Sequence, residues 1–334
     1  MSVRIGVIGA GALGFHHVRL LRQQPGAALA GFFDSNRDQA ARVAKELGVR
    51  AFDRFDALLD AVDAAVIVVP TRAHYDVARE ALSRGIHLLI EKPITATLEQ
   101  ADELVQLAAG KGVVLQVGHV ERFNRAIRAA WPHISKPRFV ESERLAPFNP
   151  RGADVAVVLD LMIHDIDLVH ALVRDAVADV RAVGVGVLTP VDMTNAWLHF
   201  SGGAVANIKA SRVSRDKLRK LRIFQEKGYF SLDLAAGTGE FYELREGLDL
   251  AEMAKSSQSI EKFVNRHKLK APEGEPLRLE HESFVAAIQG KAPVIVTGKD
   301  GRDALAVALR IVSEIERALP ALRQAAPAAP MRSA

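Results

Sequence analysis

The sequence contains no cysteine, and this absence removes several kinds of chemistry. Without a thiol, the chain can form no disulfide, no thiolate zinc site and no cysteine nucleophile. The absence also fits a reducing compartment, so we expect a cytoplasmic protein. Long apolar runs are missing too, because no stretch approaches ~18 uninterrupted apolar residues, and a membrane span is not expected. The N-terminal apolar run is broken early by glycines, which indicates a strand entering a turn and not a signal peptide.

A strong excess of charge is also lacking. The 44 Lys and Arg residues and 40 Asp and Glu residues give a formal net charge of +4. In a chain of 334 residues this excess is too small to indicate nucleic-acid binding without a concentrated patch. Apolar residues make up 49% of the chain, which is typical of a globular protein. The length predicts two domains of roughly 150 residues each.

The first 118 residues alternate between apolar runs and segments with helical spacing. Near-continuous apolar strands separated by helices predict a parallel sheet covered by helices on both faces. The expected strands are 3–9, 28–34, 64–70, 86–91 and 113–118, and the expected helices are 12–23, 37–47, 73–84 and 98–110. We therefore expect a doubly wound N-terminal domain over residues 1–120.

After about residue 120 the pattern changes to runs with polar alternation, which predicts strands with one face free. Gly202 and Gly203 predict a hairpin turn. The expected strands are 137–146, 180–188, 194–200, 204–212, 221–226 and 229–235, and the expected helices are 155–173, 278–289 and 301–318. We expect a C-terminal α/β domain, residues 121–325, with a large, mostly antiparallel open sheet that binds substrate and a partner subunit. Residues 326–334 are expected to be a disordered tail.

A glycine-rich turn follows the first expected strand. The pattern Gly9-x-Gly11-x-x-Gly14 is weak alone, but it is strong between a strand and a helix. Gly9 permits a tight turn, Gly11 permits close approach to a pyrophosphate, and Gly14 permits close packing of helix on strand. The amides of Ala12 and Leu13 would then face phosphate at a helix N-terminus. The turn predicts dinucleotide binding, and the alternative is a set of packing glycines.

Asp34 ends the second expected strand, twenty residues after Gly14. This spacing suits a carboxylate that binds the ribose hydroxyls of an adenosine. Because a carboxylate repels a 2′-phosphate, NAD is favoured over NADP. Arg37 follows closely and could soften this preference, and a helix cap at Asp34 is the alternative.

Three ionisable residues are candidates for chemistry. Lys92 follows the fourth expected strand at the edge where open α/β sheets bind ligands, and Pro93 restricts its backbone. Asp160 and His164 are four residues apart, on one face if this stretch is helical. The alternatives are a solvated lysine and a structural acid–histidine pair. No metal is expected, because the spacing around His164 matches no familiar zinc pattern.

Four stretches together resemble the Gfo/Idh/MocA oxidoreductase family: GAGALGFHH, VVPTRAHYDVAREALSRGIHLLIEKPI, VGHVERFN and LDLMIHDIDLVHAL. The resemblance covers nearly the whole chain and implies a Rossmann domain, bound NAD and hydride transfer. It implies that the catalytic residues are Lys92, Asp160 and His164, with either Lys92 or His164 accepting the proton. It further implies cofactor contacts, here expected at Pro70, Thr71, His74 and Glu91. In this family the bond before the proline of the EKP motif is often cis.

The substrate is predicted from cations in the second half of the chain. Arginines suit a pyrophosphate, whereas a free sugar does not need them; the candidates are Arg122, Arg144, Arg151 and Arg212. The stretch RLAPFNPRGADVAVVLDLMIHDID resembles the nucleotide-sugar branch of the family, which implies a UDP-sugar substrate oxidised at C3, such as UDP-N-acetylglucosamine on the route to lipid A. The alternatives are UDP-N-acetylglucosaminuronate, a free sugar or inositol, and a non-catalytic NAD-binding sensor. Relatives imply a homo-oligomer, a tetramer more than a dimer.

Overall fold

The structure is a computed structural model that describes residues 2–149, 155–245 and 263–325, with the backbone alone for 319–325. The predicted disordered tail, 326–334, lies outside the described residues. The chain divides into two compact units, Met1–Trp131 with Lys270–Leu305, and Pro132–Leu269 with Ala306–Ala334. Residues 270–305 thus group with the first unit by compactness. The division of roles at residue 120 stays a prediction.

The first unit contains a five-stranded parallel sheet in the order β2-β1-β3-β4-β5. Its strands are β1 Val3–Ile8, β2 Ala27–Phe33, β3 Ala64–Ile67, β4 His87–Glu91 and β5 Leu115–Gly118. The helices between them are α1 Ala12–Leu21, α2 Arg37–Leu47, α3 Phe55–Leu59, α4 Thr71–Ser83 and α5 Leu98–Lys111. The predicted doubly wound parallel sheet is confirmed. β3 ends three residues earlier than predicted, because the chain turns there into α4, with Pro70 as its N-cap.

Burial explains why these strands are almost continuously apolar. Ile5 and Val7 of β1, Val66 of β3 and Leu89 of β4 are all 0% exposed and lie in one hydrophobic cluster. Burying each such side chain contributes about 1.5–3 kcal/mol. A strand covered on both faces has no position for a polar side chain until it reaches the edge of the sheet.

Local signals set the ends of the helices. α2 begins after Asn36, whose side chain accepts a hydrogen bond from the amide of Gln39, and it ends at Gly48 in the left-handed conformation. α5 likewise begins after Thr97 and ends at the left-handed Gly112. Capping side chains at the start and glycines at the end are the expected pattern for helices of this kind.

The second unit contains an eight-stranded sheet, within the described residues, in the order β13-β12-β11-β10-β6-β9-β8-β7. Its strands are β6 Phe139–Leu145, β7 Val177–Val185, β8 Met193–Phe200, β9 Val205–Ser211, β10 Leu218–Gln225, β11 Gly228–Asp233, β12 Thr238–Leu244 and β13 Val264–Lys268. All neighbours are antiparallel except β6 and β9, which confirms the mostly antiparallel sheet. Further helices along the chain are α6 Arg125–Ala130, α7 Ile163–Val173, α8 Pro276–Ile288 and α9 Gly298–Ala325. No helix in the described part of the chain is long and apolar enough to cross a membrane.

Candidate active site

The glycines of the turn between β1 and α1 serve two different needs. Gly9 has φ of +93°, and a Cβ there would lie 2.7 Å from the carbonyl oxygen of Val68. A Cβ on Gly14 would collide with the carbonyl oxygen of Gly9. Glycine at these two positions is therefore required by the packing of the protein itself. Gly11 differs, because a Cβ there would meet no protein atom within 4 Å, so its bare backbone leaves room for a ligand.

The start of α1 offers backbone amides to an anion. The helix begins at Ala12, and Gly11, Ala12 and Leu13 are exposed. Amides in the first turn of a helix have no partner within the helix. This first turn carries no acidic side chain. The positive end of the helix dipole is therefore open to an anion such as a phosphate.

The carboxylate of Asp34 is held beside the glycine turn. Its Oδ2 accepts a hydrogen bond from the amide of Ala10 at 2.7 Å, and its Oδ1 accepts one from the amide of Asn36 at 2.8 Å. Asp34 is half-buried, whereas Arg37 at the start of α2 is exposed. The amide of Ala10 therefore orients Asp34 next to the turn. Contacts of Asp34 and Arg37 with a cofactor stay predictions.

His74 joins the loops that follow β3 and β4. Its Nε2 lies 2.8 Å from the carbonyl oxygen of Val69, and its Nδ1 lies 2.9 Å from that of Pro93. Burial lowers the pKa of His74, although the carbonyls of Pro93 and Val69 oppose this effect. Pro70 and Thr71, the N-cap and first residue of α4, follow Val69 directly. His74 therefore braces the loop that carries Pro70 and Thr71 against the loop after Lys92.

Lys92 directly follows β4 and is half-buried, and its bond to Pro93 is cis, as the family resemblance implies. The preceding Glu91 is only 7% exposed. Its Oε1 lies 3.1 Å from Nε2 of His17, and its Oε2 accepts a hydrogen bond from the amide of Lys92 at 3.2 Å. The Glu91 carboxylate is thus held by His17 and by the Lys92 backbone, and its expected contact with a cofactor stays a prediction.

These groups lie at one edge of the parallel sheet, because each follows the carboxyl end of a strand. The glycine turn follows β1, Asp34 follows β2, Pro70 follows β3 and Lys92 follows β4. Between β1 and β3 the order of the strands reverses, so this is the switch point at which open α/β sheets bind ligands. The first unit is a dinucleotide-binding α/β domain of the Rossmann class.

Asp160 and His164 lie at the start of the predicted helix 155–173, which is not a single α-helix. Asp160 lies in a π-helical turn, Val158–Met162, and His164 lies in the first turn of α7. Such turns are frequent at functional sites. Both side chains are half-buried. They belong to the second unit, whereas Lys92 belongs to the first, and their convergence on one substrate stays a prediction.

Arg144 is engaged in a buried ion pair. Its side chain is 3% exposed, and its Nε lies 2.6 Å from Oδ2 of Asp165, which is 1% exposed. A second guanidinium nitrogen lies 3.1 Å from Oδ1 of Asp165, and the hydroxyl of Ser142 donates to the same oxygen. Alternation along β6 puts Ser142 and Arg144 on the buried face with Val140. The predicted contact of Arg144 with substrate stays a prediction, and this geometry counts against it.

Two of the other predicted arginines also lie close to polar groups of the protein itself. Arg212 is 4% exposed and donates to the carbonyl oxygen of Val155 at 2.5 Å. The guanidinium of Arg122 lies 3.9 Å from the carboxylate of Asp300, and the side chain of Arg122 is 8% exposed. Arg151 lies outside the described residues. Among the described residues, no group of three or more His, Asp or Glu side chains is arranged to hold a metal ion.

Sequence reasoning missed a set of buried polar residues near Lys92. His17 of α1 and Glu280 and His281 of α8 are each 0% exposed. Helical spacing could have found them, because His17 shares the buried stripe of Val18 and Leu21. Glu280 and His281 similarly precede the buried Phe284 and Val285 by four positions. Polar residues on a buried stripe indicate a specific polar partner.

Comparison with known proteins identifies the family. Residues 3–119 match the Gfo/Idh/MocA oxidoreductase family with its NAD-binding Rossmann fold, and residues 116–231 match the Gfo/Idh/MocA C-terminal domain. A UDP-N-acetylglucosamine 3-dehydrogenase of Acidithiobacillus ferrooxidans is 41% identical over 318 residues, which are 95% of this chain and 98% of that protein. The chain belongs to the Gfo/Idh/MocA oxidoreductase family and is an NAD-binding oxidoreductase.

A solved structure of the Acidithiobacillus enzyme and one further relative show the range of the similarity. A solved structure of the Acidithiobacillus ferrooxidans UDP-N-acetylglucosamine 3-dehydrogenase has a TM-score of 0.86 at 40% identity and covers 95% of this chain and 99% of that one. An NAD(+)-dependent scyllo-inositol 2-dehydrogenase of Bacillus subtilis is 31% identical over 233 residues, 64% of this chain and 68% of that protein. The similarity to the nucleotide-sugar enzyme therefore extends further along the chain.

Proposed function

We propose that this protein oxidises the C3 hydroxyl of UDP-N-acetylglucosamine to the 3-keto nucleotide sugar with NAD. The observation that carries the proposal is the full-length similarity to the Acidithiobacillus enzyme named for that activity. In the cell, the keto sugar would be the precursor of a 3-amino sugar for lipid A, made in the cytoplasm.

The residues of the first unit fit the cofactor. The open space at Gly11 and the exposed amides of Ala12 and Leu13 suit a pyrophosphate, and Asp34 suits the adenosine ribose. NAD, when bound, supplies the hydride acceptor. Asp34 would repel a 2′-phosphate, with exposed Arg37 as the nearby cation that could weaken the preference. In the same proposal, Pro70, Thr71, His74 and Glu91 complete the cofactor site.

Proton transfer from the sugar is assigned to three side chains. Hydride loss from the carbinol carbon requires that a base take the hydroxyl proton. In one alternative His164 takes this proton, with Asp160 orienting the imidazole and the Lys92 ammonium stabilising the developing oxyanion. In the other, Lys92 takes it as the neutral amine and becomes the ammonium. Coupled groups share such a proton, so both belong to the catalytic set.

The arginines support a UDP-sugar less strongly than their number in the sequence suggests. Arg144 and Arg212 are both buried, and they contact Asp165 and the backbone of Val155. This observation favours a second candidate, oxidation of a free sugar or inositol; the Bacillus relative is named for oxidation of scyllo-inositol. UDP-N-acetylglucosaminuronate is a variant of the first candidate, with Arg122 and Arg151 as remaining predicted contacts.

The proposal also includes a homo-oligomer, a tetramer more than a dimer. It is supported by exposed apolar side chains on β7 and β8: Val183, Val185 and Trp197 are 56%, 53% and 44% exposed. Apolar side chains grouped on one open sheet are typical of a protein–protein interface.

The test is a turnover assay with a panel of substrates. The purified protein is incubated with NAD and UDP-N-acetylglucosamine, with a sugar-nucleotide aminotransferase added to draw off the keto product, and NADH and the product mass are measured. We expect NADH and the amino sugar. NADH with inositol alone would support the second candidate instead, and NAD binding without turnover of any substrate would support a sensor.

A matched pair of variants tests the catalytic assignment. Lys92→Met should abolish turnover while NAD still binds. Lys111→Met makes the same change at an exposed position that ends α5, and it should leave turnover unchanged. Unchanged turnover in Lys92→Met would remove Lys92 from the mechanism.

A further inference from the structure

A fully buried polar cluster lies in the first unit, behind the loop that carries Lys92. It consists of Glu91 at the end of β4, His17 of α1, Gln116 of β5, and Glu280 and His281 of α8. Apart from Glu91, at 7%, all of them are 0% exposed. α8 packs against α1, and Gln116 donates to the carbonyl oxygen of Glu280 at 3.2 Å. Polar groups buried this completely are retained only where they have partners or a function.

Three of these side chains form a row. Oε1 of Glu91 lies 3.1 Å from Nε2 of His17, and Nδ1 of His17 lies 2.9 Å from Nε2 of His281. When Glu91 is ionised, Nε2 of His17 must carry the proton between them, because a carboxylate can only accept. Nδ1 of His17 then accepts a hydrogen bond from His281 when His17 is neutral and donates one to His281 when His17 is protonated.

The charges around this row leave one anion in it. Burial acts to raise the pKa of Glu91, but the hydrogen bond from His17, together with the charges of His17 and Lys92, holds it below its usual value. Burial, and then the negative charge of Glu91, raise the pKa of Glu280 well above its usual value. Burial, and then His17, lower the pKa of His281 well below its usual value.

The ionisable groups that interact with Glu91 come from several elements. They are His17 from α1, Glu280 from α8, His74 from α4, and Lys92 next along the chain, while His281 of α8 contacts His17. Among the described residues, His17 and Lys92 are the two that favour the ionised carboxylate by direct contact. Neither carboxyl oxygen of Glu280 has a hydrogen-bond partner among the residues that the structure describes. If Glu280 were ionised as well as Glu91, its buried charge would therefore be uncompensated.

We propose that His17 is a positioning residue for Lys92: it holds Glu91 ionised and oriented, and Glu91 accepts the amide of Lys92 and thereby fixes the loop from which the lysine side chain projects. The inference deepens the proposed function, because it concerns the residue assigned to the oxyanion. His281 supports His17 from the side opposite to Glu91.

The test is the pH dependence of kcat/KM in His17→Gln. The change removes the imidazole that stabilises the carboxylate, so Glu91 should take up a proton at higher pH. The acid limb of the kcat/KM profile should therefore shift to higher pH. A hydrogen bond to a charged group corresponds to a shift of roughly one to two pH units. His16→Gln is the matched control, because His16 is the exposed neighbour on the same helix, and its profile should not move.

A double variant separates positioning from loss of packing. If His17 acts through Glu91, His17→Gln should not move the acid limb when Glu91→Gln is already present. A uniform loss of activity at every pH, or the same shift in both backgrounds, would overturn the proposal. Should His17→Gln fail to fold, His281→Gln, which removes the supporting imidazole, should move the limb in the same direction by less, and no movement would count equally against it.

An infrared titration keeps this inference distinct from the proposed substrate. In His17→Gln, a protonated-carboxyl band of Glu91 should titrate at higher pH than in the unchanged protein, and it should be missing in the double variant with Glu91→Gln. This measurement needs no turnover. If UDP-N-acetylglucosamine is not turned over but the band shifts in His17→Gln, only the proposed function is rejected. If UDP-N-acetylglucosamine is turned over but the band does not shift, the role of His17 is rejected.

Discussion

Glu280 offers a sharp test of the charge state of the buried cluster, through the pH dependence of stability. Its pKa is raised well above 4.5 in the folded protein, by burial and by the charge of Glu91. A group of this kind favours folding most below its unfolded pKa, and the contribution is lost as pH rises toward the folded pKa. In that window each pH unit costs about 1.4 kcal/mol of folding free energy. Glu280→Gln, which cannot ionise, should remove this slope.

The assay is urea unfolding of the parent protein and of Glu280→Gln at a series of pH values above 4.5. The chain has two tryptophans, so Trp197→Phe leaves Trp131, a residue of the first unit, as the fluorescent reporter of that unit. The stability of Glu280→Gln relative to the parent should grow by about 1.4 kcal/mol for each pH unit. Because the amide resembles the neutral acid in size, the two should be close in stability at the acid end.

A matched substitution controls for the change in sequence. Glu282→Gln makes the same change two residues further along α8, at an exposed position, so no buried carboxyl is removed. Its stability relative to the parent should not vary with pH in this way. A constant difference between Glu280→Gln and the parent at all pH values would refute the inference that Glu280 stays protonated in the folded protein.

Three further predictions follow from individual contacts. Gly11→Ala should raise the Kd for NAD, measured by titration, with little loss of stability, whereas Gly14→Ala should prevent folding because its Cβ would meet the carbonyl of Gly9. Arg144→Met should destabilise by about 3–5 kcal/mol in urea unfolding, since it leaves the buried carboxylate of Asp165 without its cation, and Asp165→Leu added to it should restore part of the loss. Burial acts to raise the pKa of Asp192, but hydrogen bonds from the Thr189 hydroxyl and the amides of residues 187–189 outweigh burial and lower the pKa to about 2. Its stabilisation is present above pH 3.8 and lost as pH falls toward 2, so Asp192→Asn should lose about 2 kcal/mol at neutral pH and less in acid.

Much of the first unit could be predicted from the sequence because its signals are local. A strand buried on both faces must be apolar throughout, and a glycine turn between such a strand and a helix is typical of dinucleotide binding. The edge location of Lys92 follows from the same reasoning, since it comes directly after β4. β12 and β13 were missed because they carry many polar and charged side chains, so their alternation is weak.

The arginines show where a count of charges is insufficient. Charge alone makes Arg144 a cation available to substrate, but its strand alternates, and Val140 and Ser142 at the two preceding positions of the same parity are buried. This parity is visible in the sequence and predicts an inward guanidinium that needs an acid. Asp165, the partner, lies 21 residues further along, so only the fold could identify it.

The cluster around Glu91 required the tertiary structure for the same reason, at a greater distance along the chain. His17 and His281 are separated by 264 residues, and no local pattern joins them. What the sequence does offer is an acid between an apolar strand and Lys92, where a carboxylate needs a stabilising partner. The glycine-rich turn and the EKP loop (Glu91, Lys92 and Pro93) are separate motifs in the sequence. In the structure α1 begins at the glycine-rich turn, and its His17 contacts Glu91 of the EKP loop. The helix whose first amides are proposed to bind a phosphate therefore also holds the carboxylate beside the proposed catalytic lysine. We expect that a substitution that shifts α1 alters both cofactor binding and proton transfer.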